Sequence, residues 1–212
     1  MICSITAALV SLALLTSIVS AEEPTTCTYS TSSWNVKQKR SVEARTVSHA
    51  YSELADEEVD KATGCTVCSE DQMELSIPGI APFKLCRKIA PDVEAALNDL
   101  IMKGFPVKSI KGYLVIKSRG EIDSKGNRTG FSNHSYGAAV DINRELNGLY
   151  DNCYSFGPSC RLVLGGRWQP ETPGTNVDDG PSVKAMKGIG LKWGGQIAGR
   201  QKDFMHFSPT GY

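Results

Sequence analysis

The sequence predicts a single α+β domain in which helices pack on an antiparallel sheet. The first observation is that helix-like segments come early in the chain and short strand-like segments cluster later. The second is the composition of the 212 residues, of which 41% are hydrophobic and 22% charged, as is usual for a globular chain with one core. Lys plus Arg and Asp plus Glu number 23 each, so no general attraction to nucleic acid or anionic lipid is expected.

Residues 1–21 have the features of a secretory signal peptide. They contain no charge, are rich in Leu, Ile, Val and Ala, and end in the small residues Val19, Ser20 and Ala21. Because no Lys or Arg precedes the apolar run, a membrane anchor is the alternative interpretation. We expect a secreted protein, extracellular or periplasmic, with no membrane association after signal cleavage.

The mature chain is predicted to start with a disulfide-bearing N-terminal extension, residues 22–84, followed by the main domain, residues 85–212. Residues 22–36 are rich in Ser and Thr, which predicts a loosely held arm. Residues 41–62 contain no Gly or Pro and end in an acidic cluster. They are predicted to form a helix whose acidic face is solvated.

The main domain contains clearer signals for secondary structure. A helix is predicted from Pro91 to Gly104, because apolar residues recur there at helical spacing. Residues 109–118 hold a short apolar run and predict a strand that enters the core. A second short helix is predicted at residues 181–188, and further strands at residues 138–143 and 203–208. Residues 144–180 are rich in Gly and Pro and predict a long loop, a kind of segment that is usually functional.

Six cysteines remain in the mature chain: Cys27, Cys65, Cys68, Cys86, Cys153 and Cys160. An even number in an exported chain predicts three disulfides. Cys153 and Cys160 flank a turn-rich segment and make the simplest local pair, whereas the other four allow three connectivities. The Cys65-x-x-Cys68 spacing also occurs in zinc and redox sites, but no second such pair is present to complete a four-thiolate site.

The residues able to carry chemistry concentrate in segments 132–141 and 203–207. Of the three histidines in the chain, two fall in these segments. His134, Asp141 and His206 offer the two imidazoles and one carboxylate that a catalytic zinc site with three protein ligands uses. A loop with His134 that leads into a strand with Asp141, next to a strand with His206, could bring the three to one metal ion.

Hydrolysis at such a site needs further groups. Asp203, three residues before His206, is a candidate general base that later returns the proton. A carboxylate or carbonyl of the substrate also needs a cation. Arg119, just after the predicted strand, is the best placed, and Arg128 is the second candidate.

These segments resemble a known family. Residues 132–141, SNHSYGAAVD, are similar to the SxHxxGxAxD signature of the zinc D-Ala-D-Ala carboxypeptidases. This VanY-like group includes dipeptidases, phage L-Ala-D-Glu endopeptidases and, by shared fold, the Hedgehog signalling domain. Asp203 and His206 resemble the second signature of the family, and residues 190–195 resemble the GxxWGG stretch that precedes the last ligand in its endopeptidase branch.

The resemblance implies a Hedgehog/DD-peptidase-like fold over residues 85–212, in which the sheet carries one Zn²⁺. It implies that the zinc ligands are His134, Asp141 and His206. It also implies that Asp203 is the base and that Arg119 orients or polarises the substrate. Arg128 stays open for that last role, because the insert that follows Arg119 is longer than the family pattern leads us to expect.

Ser132, Tyr136 and Trp193 are further candidates for contact with the substrate. Ser132 belongs to the signature, and Tyr136 and Trp193 are aromatic residues beside the two motif segments. An aromatic side chain next to a Gly-rich turn more often has a packing role, so packing is the alternative interpretation for both.

Together these observations predict a secreted zinc metallopeptidase, D-alanyl-D-alanine carboxypeptidase-like, that hydrolyses D-amino-acid-containing bonds in peptidoglycan stem peptides. Endopeptidase specificity and oligomeric state are left open, with a monomer expected. One alternative is a non-catalytic zinc-containing binding or signalling module of Hedgehog-like fold. The other is a disulfide-bonded extracellular binding protein that holds no metal.

Overall fold

The computed structural model describes residues 24–212, so the predicted signal peptide lies outside the described residues. Within this range the chain forms two α-helices, five short 3-10 helices and thirteen strands, which confirms the predicted α+β class. The helices are α1 (Ala90–Met102) and α2 (Pro181–Gly188). The strands are β1 (Thr26–Asn35), β2 (Arg40–Ala50), β3 (Gln72–Leu75), β4 (Phe83–Cys86), β5 (Ile110–Lys111), β6 (Ile116–Ile122), β7 (Arg128–Phe131), β8 (Val140–Ile142), β9 (Leu149–Asp151), β10 (Arg161–Leu164), β11 (Lys192–Trp193), β12 (Lys202–Asp203) and β13 (His206–Ser208).

Both predicted helices are present and pack against each other. Pro91 lies in the first turn of α1, where its missing N–H and fixed φ are tolerated. The buried side of α1 carries Val93, Leu97 and Leu100 into the main core, where Val183 and Met186 of α2 join them. Neither of these helices, nor any other helix of residues 24–212, has the length and apolar character needed to cross a membrane.

The helices pack on a four-stranded antiparallel sheet of order β11-β13-β8-β5. Val140, Ile142 and Phe207 are fully buried in the main core. Side chains alternate between the two faces of a strand. Asp141 therefore lies on the face that points away from the helices, and its pairing with His206 places that side chain on the same face.

Residues 26–35 and 40–50 form strands, and only short 3-10 helices follow before residue 62, so the predictions of an arm over residues 22–36, as far as these are described, and of a helix over residues 41–62 are wrong. β1 and β2 pair as a long antiparallel hairpin, and β1 also pairs in parallel with β6, giving the sheet order β2-β1-β6-β7. β2 is the edge strand and is exposed on most of its length. Its sequence therefore lacks the period-two alternation by which a half-buried strand is recognised.

Two further predictions need correction. Residues 109–118 contain the whole of β5 and the beginning of β6, with an irregular segment between them, and do not form one continuous strand. The predicted order of helices first and strands later is also wrong, because β1 to β4 precede α1. The strands predicted at residues 138–143 and 203–208 are present as β8, β12 and β13.

All six cysteines of the described chain form disulfides. The local pair Cys153–Cys160 is as predicted, and the other bridges are Cys27–Cys68 and Cys65–Cys86. Cys65 and Cys68 thus have different partners, which removes the interpretation of this pair as a zinc or redox dithiol.

Residues 144–180 contain β9 and β10, with the Cys153–Cys160 bridge between them. β9 lies at the centre of a three-stranded sheet of order β10-β9-β12. Asp203 of β12 pairs with Leu149 of β9. The segment predicted as a loop is therefore connected through one sheet to a candidate catalytic residue.

Candidate metal centre

His134 is held by a tight turn. Residues Asn133–Tyr136 form a 3-10 helix that ends at Gly137, whose φ of 63° lies in the left-handed region. A Cβ at Gly137 would lie 2.0 Å from Oε1 of Gln72 and 2.5 Å from the backbone nitrogen of Cys86, so the position also requires the space that glycine leaves. Nδ1 of His134 lies 2.7 Å from the carbonyl oxygen of Gly112, to which it donates. This contact fixes the ring and leaves the Nε2 lone pair free.

The ring of His206 is oriented through its other nitrogen. Its Nε2 lies 2.9 Å from the backbone carbonyl oxygen of Tyr212, to which it donates, and this leaves the Nδ1 lone pair free. Asn133 donates from its side-chain amide to the hydroxyl oxygens of Ser208 and Thr210, and so connects the His134 turn to the end of β13 and the segment that follows it. Backbone carbonyls that orient metal-binding imidazoles are a usual feature around metal sites.

The three candidate ligand atoms meet at one point. Nε2 of His134 lies 3.1 Å from Oδ1 of Asp141, Nδ1 of His206 lies 3.0 Å from the same oxygen, and the two nitrogens are 3.2 Å apart. Tetrahedral zinc with bonds of 2.0–2.1 Å separates its ligand atoms by about 3.4 Å. Two imidazole lone pairs and a carboxylate oxygen at this separation repel one another unless a cation lies between them. The residues present therefore fit a divalent metal ion.

The charged groups of this cluster shift one another's pKa values. Burial by itself raises the pKa of Asp141, but His134 and His206 outweigh it and hold that pKa well below the usual range. Burial lowers the pKa of His134, and Asp141 outweighs this effect and raises it. The carboxyl group is thus ionised at neutral pH, as a metal ligand must be.

Asp203 lies beside this cluster without belonging to it. Its Oδ1 is buried and has no hydrogen-bond partner among residues 24–212. Burial raises the pKa of Asp203 to about 6, with a further contribution from the charge of Asp141 and opposing ones from His206 and His134. Gly194 permits the close packing here, since a Cβ at that position would lie 2.4 Å from the carbonyl oxygen of Asp203. A carboxylate with a free, buried oxygen and a pKa near neutral is suited to accept a proton.

Of the two candidate arginines, Arg119 lies near the cluster. Burial lowers the pKa of its guanidinium, while the charges of Asp203 and Asp141 act in the opposite direction, which places them within electrostatic reach. The guanidinium also lies over the ring of Tyr212 at 5.6 Å. Arg128 instead donates from Nη1 to the carbonyl oxygen of Gly120 at 2.6 Å.

The three predicted substrate contacts differ in their surroundings. Trp193 is buried in the main core, and its indole N–H donates to the carbonyl oxygen of Phe204 at 2.9 Å, which favours the packing interpretation. Tyr136 donates from its hydroxyl group to the carbonyl oxygen of Glu57 at 2.9 Å. Ser132 is buried. Contact of Ser132 or Tyr136 with a substrate stays a prediction.

Sequence reasoning missed the groups that orient the ligands. The carbonyl oxygens of Gly112 and Tyr212 have no signal in the sequence, because every residue carries a backbone carbonyl. Asn133 could have been noticed, since it lies inside the signature between Ser132 and His134.

Comparison with known proteins supports one family. No curated protein and no solved structure gives a significant match to the chain. Residues 125–209 match the family model described as D-alanyl-D-alanine carboxypeptidase. This range includes the three candidate ligands and Asp203, whereas Arg119 precedes it. The match over residues 125–209 confirms the resemblance drawn from the sequence motifs.

Proposed function

We propose that this protein is an exported zinc metallopeptidase that hydrolyses D-amino-acid-containing peptide bonds of peptidoglycan stem peptides. The observation that carries the proposal is the convergence of Nε2 of His134, Nδ1 of His206 and Oδ1 of Asp141 within 3.2 Å of one another, beside a buried carboxylate. The family match supports the peptidase class, and the donor set of two imidazoles and one carboxylate supports one zinc ion per chain.

Zinc bound by His134, Asp141 and His206 supplies Lewis acidity, which polarises a carbonyl group and lowers the pKa of water. The protein's own task is to orient both imidazole rings. The carbonyl oxygens of Gly112 and Tyr212 do this, because each accepts the N–H that is not needed for the metal.

Asp203 takes the proton from the attacking water and later gives it to the departing amine. Its free Oδ1 can accept the proton, and burial, which raises the pKa of this carboxyl group, favours both transfers. Arg119, held near Asp203 and Asp141, stabilises negative charge that develops on the carbonyl oxygen of the substrate.

Export of the protein is supported by the three disulfides, which persist in an oxidising compartment, together with the signal-like residues 1–21. Peptidoglycan outside the cell membrane is then within reach of the enzyme.

The test is bound-metal content of the purified protein, combined with mass-spectrometric identification of the products from a muropeptide mixture. We expect about one zinc per chain and release of D-Ala or cleavage of the stem. Zinc without cleavage of any bond would favour a non-catalytic binding module. A protein purified without chelator that holds no metal, and gains none on dialysis against zinc, would contradict the proposal.

A further inference from the structure

The guanidinium group of Arg119 has no polar partner that fixes its position. Within residues 24–212 it forms no ion pair with a carboxylate, and its side chain donates no hydrogen bond to the protein. Its N–H donors are therefore available to a substrate. A long side chain with free donors can adopt many rotamers, whereas a group that stabilises developing charge has to be in place beforehand. For Arg119 to take that role, another contact has to restrict it.

Strand β6 is irregular at Arg119. The register of its pairing with β7 shifts on both sides of this residue, which pairs with Gly130. Such irregularities re-aim a side chain and are common next to active sites. The charges of Asp203 and Asp141 act on the guanidinium, in agreement with a side chain that points toward the candidate metal centre. The strand thus sets the direction of Arg119 but does not hold the far end of its side chain.

Tyr212 supplies a contact at that far end. The Arg119 guanidinium lies over the ring of Tyr212, with 5.6 Å between its central carbon and the ring centroid. This is within the distance of about 6 Å at which the face of an aromatic ring attracts a cation. The attraction needs no hydrogen bond, so the N–H donors of Arg119 stay available to a substrate.

Tyr212 is itself held at both ends. Its hydroxyl group donates to the carbonyl oxygen of Ala198. Its backbone carbonyl oxygen accepts hydrogen bonds from Nε2 of His206 at 2.9 Å and from the hydroxyl group of Ser208 at 3.2 Å. Tyr212 therefore contacts a candidate metal ligand through its backbone and Arg119 through its ring, and so fixes the two relative to each other.

We propose that Tyr212 is a positioning residue, whose ring holds the Arg119 guanidinium beside the metal centre while its carbonyl oxygen orients His206. The ring acts on the reaction only through Arg119. This inference rests on the proposed peptidase function. It adds a residue that lies outside both motif segments and outside residues 125–209, which the family model matches.

The first test is a double-mutant cycle, measured by muropeptide hydrolysis with the zinc-loaded protein. Tyr212→Leu removes the aromatic face and keeps the backbone carbonyl, so zinc content should stay near one per chain. Its kcat should fall by about 2- to 30-fold, the range that a cation–π contact provides. KM should change little, because Arg119 acts on charge that develops during the reaction. In an Arg119→Met background, Tyr212→Leu should lower kcat no further, since the ring acts through the guanidinium.

Two variants serve as controls. Tyr212→Phe keeps the ring and should keep a kcat close to that of wild type. Tyr154→Leu is the matched control, because Tyr154 is an exposed tyrosine between β9 and β10 and should tolerate the same change. Equal losses from Tyr212→Leu in the wild-type and Arg119→Met backgrounds would show a merely structural role and overturn the assignment. Loss of zinc from Tyr212→Leu, or an equally large loss of kcat in Tyr212→Phe, would overturn it too.

The order of the Arg119 side chain separates this inference from the proposed function. NMR relaxation of the isotope-labelled, zinc-loaded protein gives the order parameter S² of the Nε–H group of Arg119. We expect S² above about 0.6 in wild type and Tyr212→Phe, and below that value in Tyr212→Leu. If wild type cleaves no peptide, the proposed function fails, but the positioning of Arg119 stands if Tyr212→Leu alone mobilises it. The positioning role falls if S² is the same in all three proteins.

Discussion

Replacement of Asp203 by Asn tests whether Asp203 acts as the base and not as a metal ligand. The change keeps the shape of the side chain and removes its ability to take a proton. General acid–base groups contribute about 10²- to 10⁴-fold to a rate, so kcat should fall by that factor. Zinc content should stay near one per chain, because Asp203 lies outside the group of His134, Asp141 and His206.

The same replacement should stabilise the metal-free protein. Burial raises the pKa of Asp203 from 3.8 to about 6, so ionisation is disfavoured in the folded state. Below pH 3.8 the carboxyl group of Asp203 is protonated in both the folded and the unfolded state, so it does not change the free energy of unfolding. Above pH 6 the folded state bears the full penalty, which is about 3 kcal/mol. This is an upper bound, since part of the Asp203 side chain contacts solvent.

The assay is urea denaturation in the presence of a chelator at pH 7.5 and at pH 4, together with zinc analysis and muropeptide hydrolysis. Asp203→Asn should be more stable than wild type at pH 7.5, and the difference should shrink at pH 4. Asp99→Asn is the control, because Asp99 is a half-exposed carboxylate on α1 whose loss should change stability by less than about 0.5 kcal/mol. Full turnover by Asp203→Asn, loss of its zinc, or no gain in stability at pH 7.5 would refute the reasoning.

Three further outcomes are expected. Gly137→Ala places a Cβ 2.0 Å from the side-chain oxygen of Gln72 at a φ of 63°, so it should lower the free energy of unfolding by more than about 2 kcal/mol. It should also weaken zinc affinity, because the turn holds His134, and an unchanged affinity would contradict this role of the turn. Leu97→Ala removes a fully buried side chain of α1 and should lower the free energy of unfolding by about 2–5 kcal/mol. A loss below about 1 kcal/mol would show that this core is not tightly packed. A backbone hydrogen bond and the neighbouring Glu58 raise the pKa of His49, so protonated His49 stabilises the folded state fully below pH 6.5, and this stabilisation is lost at higher pH. Thermal melts across this pH range should show the loss in wild type and not in His49→Gln.

The sequence alone was sufficient to predict features that depend on residues close together in the chain. The spacing of apolar residues predicts α1 and α2, because one helical face must repeat at 3.6 residues whatever it packs against. The pair Cys153–Cys160 is separated by only seven residues, so the chain itself brings the thiols together. The turn between Ser132 and Gly137 is likewise encoded within one short segment.

In the N-terminal extension, contacts between distant parts of the chain decide the secondary structure. Residues 41–62 lack Gly and Pro and could form a helix by propensity, yet residues 40–50 form β2. Its partner β1 supplies the backbone hydrogen bonds, and β1 is in turn held by β6 and by the Cys27–Cys68 bridge. Helix propensity differs among ordinary residues by less than about 0.7 kcal/mol each, so tertiary pairing outweighs it.

The sequence determined the residue types of the candidate metal centre, because the candidate ligands His134, Asp141 and His206, and the candidate base Asp203, lie in recognisable motifs. Their mutual geometry was decided by the tertiary structure. The pairing of β8 with β13 brings together Asp141 and His206, which are 65 residues apart in the chain. Strand register is a long-range property set by the buried face of the whole sheet, so short sequence patterns specify the chemistry of this site and the folded chain specifies its arrangement.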